Sequence, residues 1–285
     1  MKNQRTTLIT DFDNTLYDWF HMWYACFSAM LVEVERISGV NKELLYNEIR
    51  TIHQKYHTSE YAFLLEELPA LRRLYPDENI TVVFDPAIHA YRSARKENLF
   101  LYEGVRDTLA LLRSKGIQIV IYTESLAYYT NFRIRRLDLD PLVDVIFSPP
   151  DHAVPIFSTG QNLGPSNEDK ELSHARHVFL PQGVVKPNPV VLLDIVSEIG
   201  RSPSECVYLG DSLMKDVAMA QDAHIMDVYA KYGFVQDKRE YELLQKVSHW
   251  TPEDVDREKA ISARPTVVPS YSINKFREIV PLFEE

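Results

Sequence analysis

Asp11-Phe12-Asp13-Asn14-Thr15-Leu16-Tyr17 follows directly on Leu8-Ile9-Thr10. It sets two carboxylates two residues apart where a strand gives way to a loop. Side chains alternate along an extended strand, so Asp11 and Asp13 can enter one pocket while Phe12 turns away. Two close carboxylates repel, and a hard divalent cation or protonation of one of them relieves the repulsion. Aspartate is also common at turns and helix caps, so the pair by itself leaves a catalytic and a structural reading open.

Three further segments carry polar groups at strand ends. Ile117-Gln118-Ile119-Val120-Ile121-Tyr122 is an apolar strand that ends at Thr123. Lys186-Pro187 precedes a helix. Cys206-Val207-Tyr208-Leu209 runs into Gly210-Asp211-Ser212, with Asp216 five residues past Asp211. Open parallel α/β sheets place their ligand sites at the carboxyl ends of strands. Taken in this order, the four segments resemble the motifs of the haloacid dehalogenase superfamily, whose members are mostly phosphatases. The resemblance covers motifs near both ends of the chain and most of the core between them.

That resemblance implies a set of roles. Asp11 is the expected nucleophile, forming an aspartyl-phosphate intermediate that splits one hard displacement into two. Asp13 is the expected general acid and base, protonating the leaving alkoxide and later deprotonating the attacking water. Dehalogenases resemble the same family but lack this second aspartate, because a halide needs no proton; Asp13 therefore favours phosphoryl transfer. Thr123 would offer its hydroxyl and neighbouring backbone N–H groups to a phosphate oxygen. Lys186 would place its charge on the phosphate and the carboxylates. Asp211 would complete a Mg²⁺ site with the Asp11 carboxylate and the Asp13 backbone carbonyl, an oxygen set of the kind Mg²⁺ takes. Asp216 would bind the metal through water or hold Lys186 in place. Thr15 is either a hydroxyl that organises the loop or an ordinary turn residue. Glu124 departs from the family pattern, and a carboxylate aimed at a phosphate is repulsive. It is expected to turn away or to meet a cation on the cap or the substrate.

The elements that must position these groups are α/β. The expected fold is a Rossmann-like doubly wound parallel sheet formed by residues 1–16 and 100–285. A helical C1 cap over residues 17–99 interrupts it and, by the resemblance, closes over the pocket and selects the substrate. Asp18 can cap a first helix with the stripe Trp19, Phe20, Trp23, Tyr24, Phe27, Met30, Leu31, Val34, mostly cap core. Asn41 opens a second, with Leu44, Leu45, Ile49 and Ile52 on one side. Ser59 and Glu60 open a third through Leu71, and Pro86 starts a fourth towards Asn98. The core resumes with helix 105–114, strand 117–122, a helix through Leu137 and strand 144–147. Helix 189–199, strand 206–209, helix 213–223 and strand 225–229 follow. Such alternation implies a parallel sheet covered on both faces.

Two stretches depart from that simple plan. Residues 149–184 are rich in proline and glycine and contain His152, His174 and His177; they read as a long solvated loop, with a substrate-gating flap as the sharper alternative. Residues 231–264 read as a peripheral elaboration with a polar helix near 237–247. The tail reads as a strand at Thr266-Val267-Val268 and a closing helix from Ser272 to Phe283. Arg133, Arg135 and Arg136 read as a solvated helix face. Arg92, Arg95 and Lys96 are better placed to meet an anionic substrate.

Composition fits a soluble enzyme: 285 residues, 45% hydrophobic and 25% charged. A net charge of −10 makes a nucleic-acid polymer a poor partner. Cys26 and Cys206 lie in apolar surroundings and read as buried thiols of a reducing compartment. With no secretory or membrane-spanning apolar stretch evident, a cytoplasmic location is expected. By the resemblance, the expected partner is a small phosphorylated metabolite: a sugar or glycolate phosphate, a nucleoside monophosphate as in pyrimidine nucleotidases, or a phosphosugar that is mutated rather than hydrolysed. The competing class is a non-catalytic scaffold on the same fold.

Overall fold

The computed structural model describes residues 5–153, 172–233, 238–251 and 267–284. Among these residues seven strands form one sheet: β1 (Thr7–Thr10), β2 (Gln118–Tyr122), β3 (Val145–Ser148), β4 (Arg176–Phe179), β5 (Cys206–Gly210), β6 (Met226–Ala230) and β7 (Tyr271–Ile273). Their order is β4-β3-β2-β1-β5-β6-β7, and every pairing is parallel. The chain builds outwards from β1 on one side, then returns to build on the other. This reversal of direction opens a crevice beyond the carboxyl end of β1, where such sheets bind ligands.

The helices are α1 (Trp19–Ser38), α2 (Lys42–Tyr56), α3 (Leu64–Glu67), α4 (Pro69–Leu74), α5 (Ile80–Val83), α6 (Asp85–Asn98), α7 (Val105–Ser114), α8 (Ala127–Arg136), α9 (Pro189–Glu198), α10 (Ala218–Asp222) and α11 (Lys238–Val247). Alternation along the strands sends Leu8, Ile119 and Val207 to one face, where they pack with Val105, Leu109 and Phe276. Ile9, Val120 and Tyr208 go to the other, against Leu192, Ile195 and Met219. Both faces are thus buried, as the near-continuous apolar strands require. The result is the expected α/β Rossmann-like fold. Cys26 and Cys206 are buried free thiols, and burial pushes both up to about 12. Among the described residues no helix is long and apolar enough to cross a membrane.

Residues 17–99 are helical, and their apolar stripes meet in a separate cluster built on Trp23, Phe27, Ile49, Leu68 and Leu71. Asp18 caps α1 by accepting from His21 N at 2.9 Å, and Asn41 caps α2 in the same way through Glu43 N. The expected third helix is broken. Residues preceding proline avoid the helical region, so Leu68 takes an extended conformation before Pro69 and divides α3 from α4. Ser59 and Glu60 lie outside any helix, and Leu44 is exposed rather than on the apolar side.

Several expected outlines are corrected. The 149–184 stretch is not one loop, because it includes β4, which pairs with β3 through Ile146↔His177. His177 is correspondingly held by Asn131 and Ser148 at 2.8 and 2.7 Å rather than solvated, whereas His174 is exposed beside Asp140. The proposed flap falls largely on residues outside those described. The polar helix near 237–247 exists as α11, but it is not peripheral. Leu244 and Val247 join the apolar cluster of α1 and α2, because those helices leave apolar surface that α11 covers. The tail strand forms later than expected, at β7. Asp227 accepts from Ser270 N and Oγ at 2.8 and 2.6 Å and fixes the register there. A 3₁₀ segment, Phe276–Phe283, follows in place of an α-helix from Ser272, and it contains Pro281, which lacks an N–H to donate. Helix 213–223 opens with a wide turn in which Val217 N donates to Ser212 O, before α10 begins.

Candidate active site

Asp11 stands one residue past β1, pinned when its N–H donates to Leu209 O of β5 at 2.8 Å. Its Oδ1 accepts from Lys186 Nζ at 2.5 Å and its Oδ2 from Thr15 Oγ1 at 3.3 Å. The Thr15 hydroxyl thus does organise the loop. Lys186 Nζ also reaches Asp216 Oδ1 at 3.0 Å. Asp216 is fixed in turn by Tyr208 OH at 3.0 Å and Ser212 N at 3.1 Å. A buried ammonium is tolerated only when paired. Burial opposes the charge of Lys186, but Asp11 and Asp216 overcome it and raise the lysine well above its ordinary value.

Asp211 follows β5, and one oxygen each from Asp11, Asp211 and Asp216 lie within 4.8 Å of one another. Burial, then the charges of Asp11 and Asp216, push the Asp211 carboxyl well above the ordinary range. Burial likewise raises Asp11, against the pull of Lys186. Three carboxylates thus share one nearby lysine, a deficit of positive charge. Their all-oxygen donors suit a hard divalent cation such as Mg²⁺. Two glycines make room. A Cβ on Gly210 would sit 2.3 Å from Asp216 Cγ, and one on Gly233 would sit 2.0 Å from Asn14 O and 2.7 Å from Asp211 Cβ.

The Asp13 side chain takes a different set of partners from this triple. Its Oδ1 accepts from Tyr17 OH, and its Oδ2 accepts from Ser125 Oγ at 2.5 Å. Arg133 Nη1 lies 3.6 Å from Oδ1. Burial raises the Asp13 carboxyl above its ordinary value although Arg133 pulls the other way. Thr123 is buried at the end of β2, with its N–H donating to Phe147 O and its Oγ1 accepting from Ser125 N, both at 3.0 Å.

Two expectations about charge are corrected here. Arg133 is not on a solvated face: its side chain is 2% exposed and pairs with Glu60. On α8 it shares the inward stripe of Thr130 and Leu137, while Arg136 points outward. Glu124 meets its cation on neither cap nor substrate. It accepts from Lys186 N at 3.0 Å and from Lys215 Nζ at 2.7 Å, both core groups. Burial opposes its ionisation, but Lys215 and Lys186 bring its carboxyl below the ordinary value. Of the cations on α6, Arg95 stacks over the Phe132 ring at 3.9 Å, while Arg92 and Lys96 are exposed.

A model of haloacid dehalogenase-like hydrolases matches residues 6–224. The chain belongs to that family. It is similar to the glyceraldehyde 3-phosphate phosphatase of Methanopyrus kandleri, 25% identical over 210 residues, 73% of this chain and 74% of the relative. It is also similar to the phosphoglycolate phosphatase of Nitrosococcus oceani, 24% identical over 52% of this chain and 51% of that one. Among solved structures, the 2-haloacid dehalogenase of Pseudomonas syringae pv. tomato superposes with a TM-score of 0.55 at 16% identity, covering 98% of both chains; at that identity it speaks for the fold alone. Within this haloacid dehalogenase-like site, sequence reading missed Tyr17, Glu60, Ser125, Lys215 and Gly233. Helical spacing on α8 carried a signal for Arg133. The others meet the site through contacts distant in sequence or by a turn, and no local pattern marks them.

Proposed function

We propose that the protein is a magnesium-dependent phosphomonoester hydrolase acting on a small phosphorylated metabolite. The observation that carries this reading is the second carboxylate. Asp13, whose charge reaches Asp11, is held by Tyr17 and Ser125; it is an acid–base group that departure of an alkoxide requires and that of a halide does not. The phosphatase names of the curated relatives support it.

In this reading Asp11 attacks phosphorus through its carboxylate and forms an aspartyl-phosphate. Lys186, bridging Asp11 and Asp216, orients the nucleophile and offsets the charge that collects as the phosphate dianion enters. The Thr123 hydroxyl, already accepting from Ser125 N, keeps its proton for a phosphate oxygen. Asp13 gives its proton to the bridging oxygen as the ester bond breaks, then takes one from the water that hydrolyses the phosphoenzyme. Asp11 and Asp211, with the Asp13 backbone carbonyl, would hold Mg²⁺, while Asp216 stays engaged with Lys186. When bound, the metal supplies positive charge against the phosphate oxygens and the clustered carboxylates. The helices of residues 17–99 act as the cap that bounds the leaving-group side.

The test is hydrolysis of a chromogenic aryl phosphate by purified protein, with magnesium and with a chelator, beside Asp11→Asn and Asp13→Asn. The expected result is magnesium-dependent turnover that disappears in Asp11→Asn. Equal rates in the wild type and Asp11→Asn would remove the proposed nucleophile.

A further inference from the structure

Arg133 is a buried charge beside the site that the scheme above leaves unused. It comes from α8, in the core, yet its partner Glu60 comes from the connector between α2 and α3 in the helical insertion. Glu60 is itself buried, with a side chain 8% exposed. It is steadied on its far side when Trp19 Nε1 donates to its Oε2 at 3.0 Å. The guanidinium therefore spans the two parts of the molecule. Its other end faces the catalytic loop, where Nη1 lies 3.6 Å from Asp13 Oδ1 and donates to Ser125 Oγ at 3.1 Å. Ser125 Oγ passes this on by donating to Asp13 Oδ2 at 2.5 Å.

We propose that Arg133, clamped by Glu60, is a positioning residue that aims the Asp13 carboxyl at the leaving-group oxygen. This deepens, and rests on, the phosphatase reading. A carboxyl group that must pass a proton along one direction needs its rotation fixed. Tyr17 holds one oxygen of Asp13, and the Arg133–Ser125 pair holds the other. Each oxygen then retains a lone pair for the proton in transit. As the P–O bond breaks, that proton moves from Asp13 to the departing oxygen, and Asp13 becomes the anion that faces Arg133. A planar fork with five donors can serve Glu60 and Ser125 together in fixed geometry, which a lysine ammonium cannot. The insertion thereby contributes to the chemical step through Glu60, which touches neither Asp11 nor Asp13.

The experiment compares kcat/KM for p-nitrophenyl phosphate and phenyl phosphate, two esters of similar shape whose leaving groups differ in their need for a proton. Wild type, Asp13→Asn, Arg133→Lys, Arg133→Met and Glu60→Gln are measured, each with a thermal melt to verify folding. A general acid contributes about 10²–10⁴-fold, and it matters most for the poorer leaving group. The p-nitrophenyl to phenyl ratio should rise roughly tenfold or more in Asp13→Asn and Arg133→Lys, and by a smaller factor in Glu60→Gln. Adding Arg133→Lys to Asp13→Asn should change it little further. Should Arg133→Met fail to fold, the two conservative variants carry the test. Equal losses on both esters, or no loss, in Arg133→Lys and Glu60→Gln would overturn the positioning role while leaving the phosphatase reading intact. A wild type that hydrolyses neither ester would overturn both.

Discussion

Lys186 Nζ lies 2.5 Å from Asp11 and 3.0 Å from Asp216, with Lys186 and Asp216 almost fully covered and Asp11 only slightly exposed. Removing one partner of a buried ion pair costs about 3–5 kcal/mol, since the other is left desolvated and unpaired. Lys186→Met should therefore lose stability of that order in magnesium-free buffer, as urea unfolding would show. Its turnover should fall by about 10²–10³-fold, the usual consequence of losing one preorganised electrostatic contact. Asp11, Asp13, Lys186, Asp211 and Asp216 were legible in the sequence because each follows or flanks a short strand or a proline-marked helix start. Arg133 was not, since its counter-charge lies 73 residues away and an arginine among arginines resembles a solvated face. The partners of Asp13 were also hidden: alternation placed it with Asp11, but nothing local marked Tyr17, Ser125 and Arg133 as the groups around its carboxyl.

At the scale of elements, the turn after β6 closes the site by contact rather than by chemistry. Gly233 leaves no room for a side chain between Asn14 O and Asp211 Cβ, and Tyr232 OH donates to Thr15 O at 2.8 Å. Gly233→Ala should displace Asp211 and raise the magnesium concentration for half-activation by about tenfold, the lower range of effects from residues that support metal ligands. A titration of activity against magnesium reads this directly. Helix α11 is a second case. Leu244 is 1% exposed in the apolar cluster of α1 and α2, and Leu244→Ala should cost about 2–5 kcal/mol in chemical denaturation. Strands β1, β2 and β5 were evident from apolar runs bounded by polar residues. Strand β4 was not, because an Arg-His-Val-Phe edge segment with an exposed end lacks that pattern. The docking of α11 likewise rests on distant apolar surfaces that only the folded chain brings together.

At the scale of the molecule, two histidines tie stability to pH. His53 is buried with Nδ1–H donating to Val247 O, and His177 lies between Asn131 and Ser148. Burial lowers both from 6.5 to about 4. Below pH 6.5 the unfolded chain takes up protons that the folded state refuses until about pH 4. Stability should thus fall through that window by about 1.4 kcal/mol per pH unit for each histidine. Unfolding midpoints across the window should show a steep decline, shallower in His53→Gln although that variant is weaker at neutral pH. The doubly wound sheet and an inserted helical segment were both legible from the order of strands and stripes. The route by which the insertion reaches Asp13, through Glu60 and Arg133, became visible only in three dimensions.

Covalent catalysis by Asp11 is the centre of the account, and one measurement addresses it most directly. Acid-quenched protein taken during turnover of an aryl phosphate, digested and weighed by mass spectrometry, should carry one phosphoryl group on the peptide containing Asp11, and none in Asp11→Asn. Steady turnover with that peptide unmodified, or with the phosphoryl group on another residue, would contradict it.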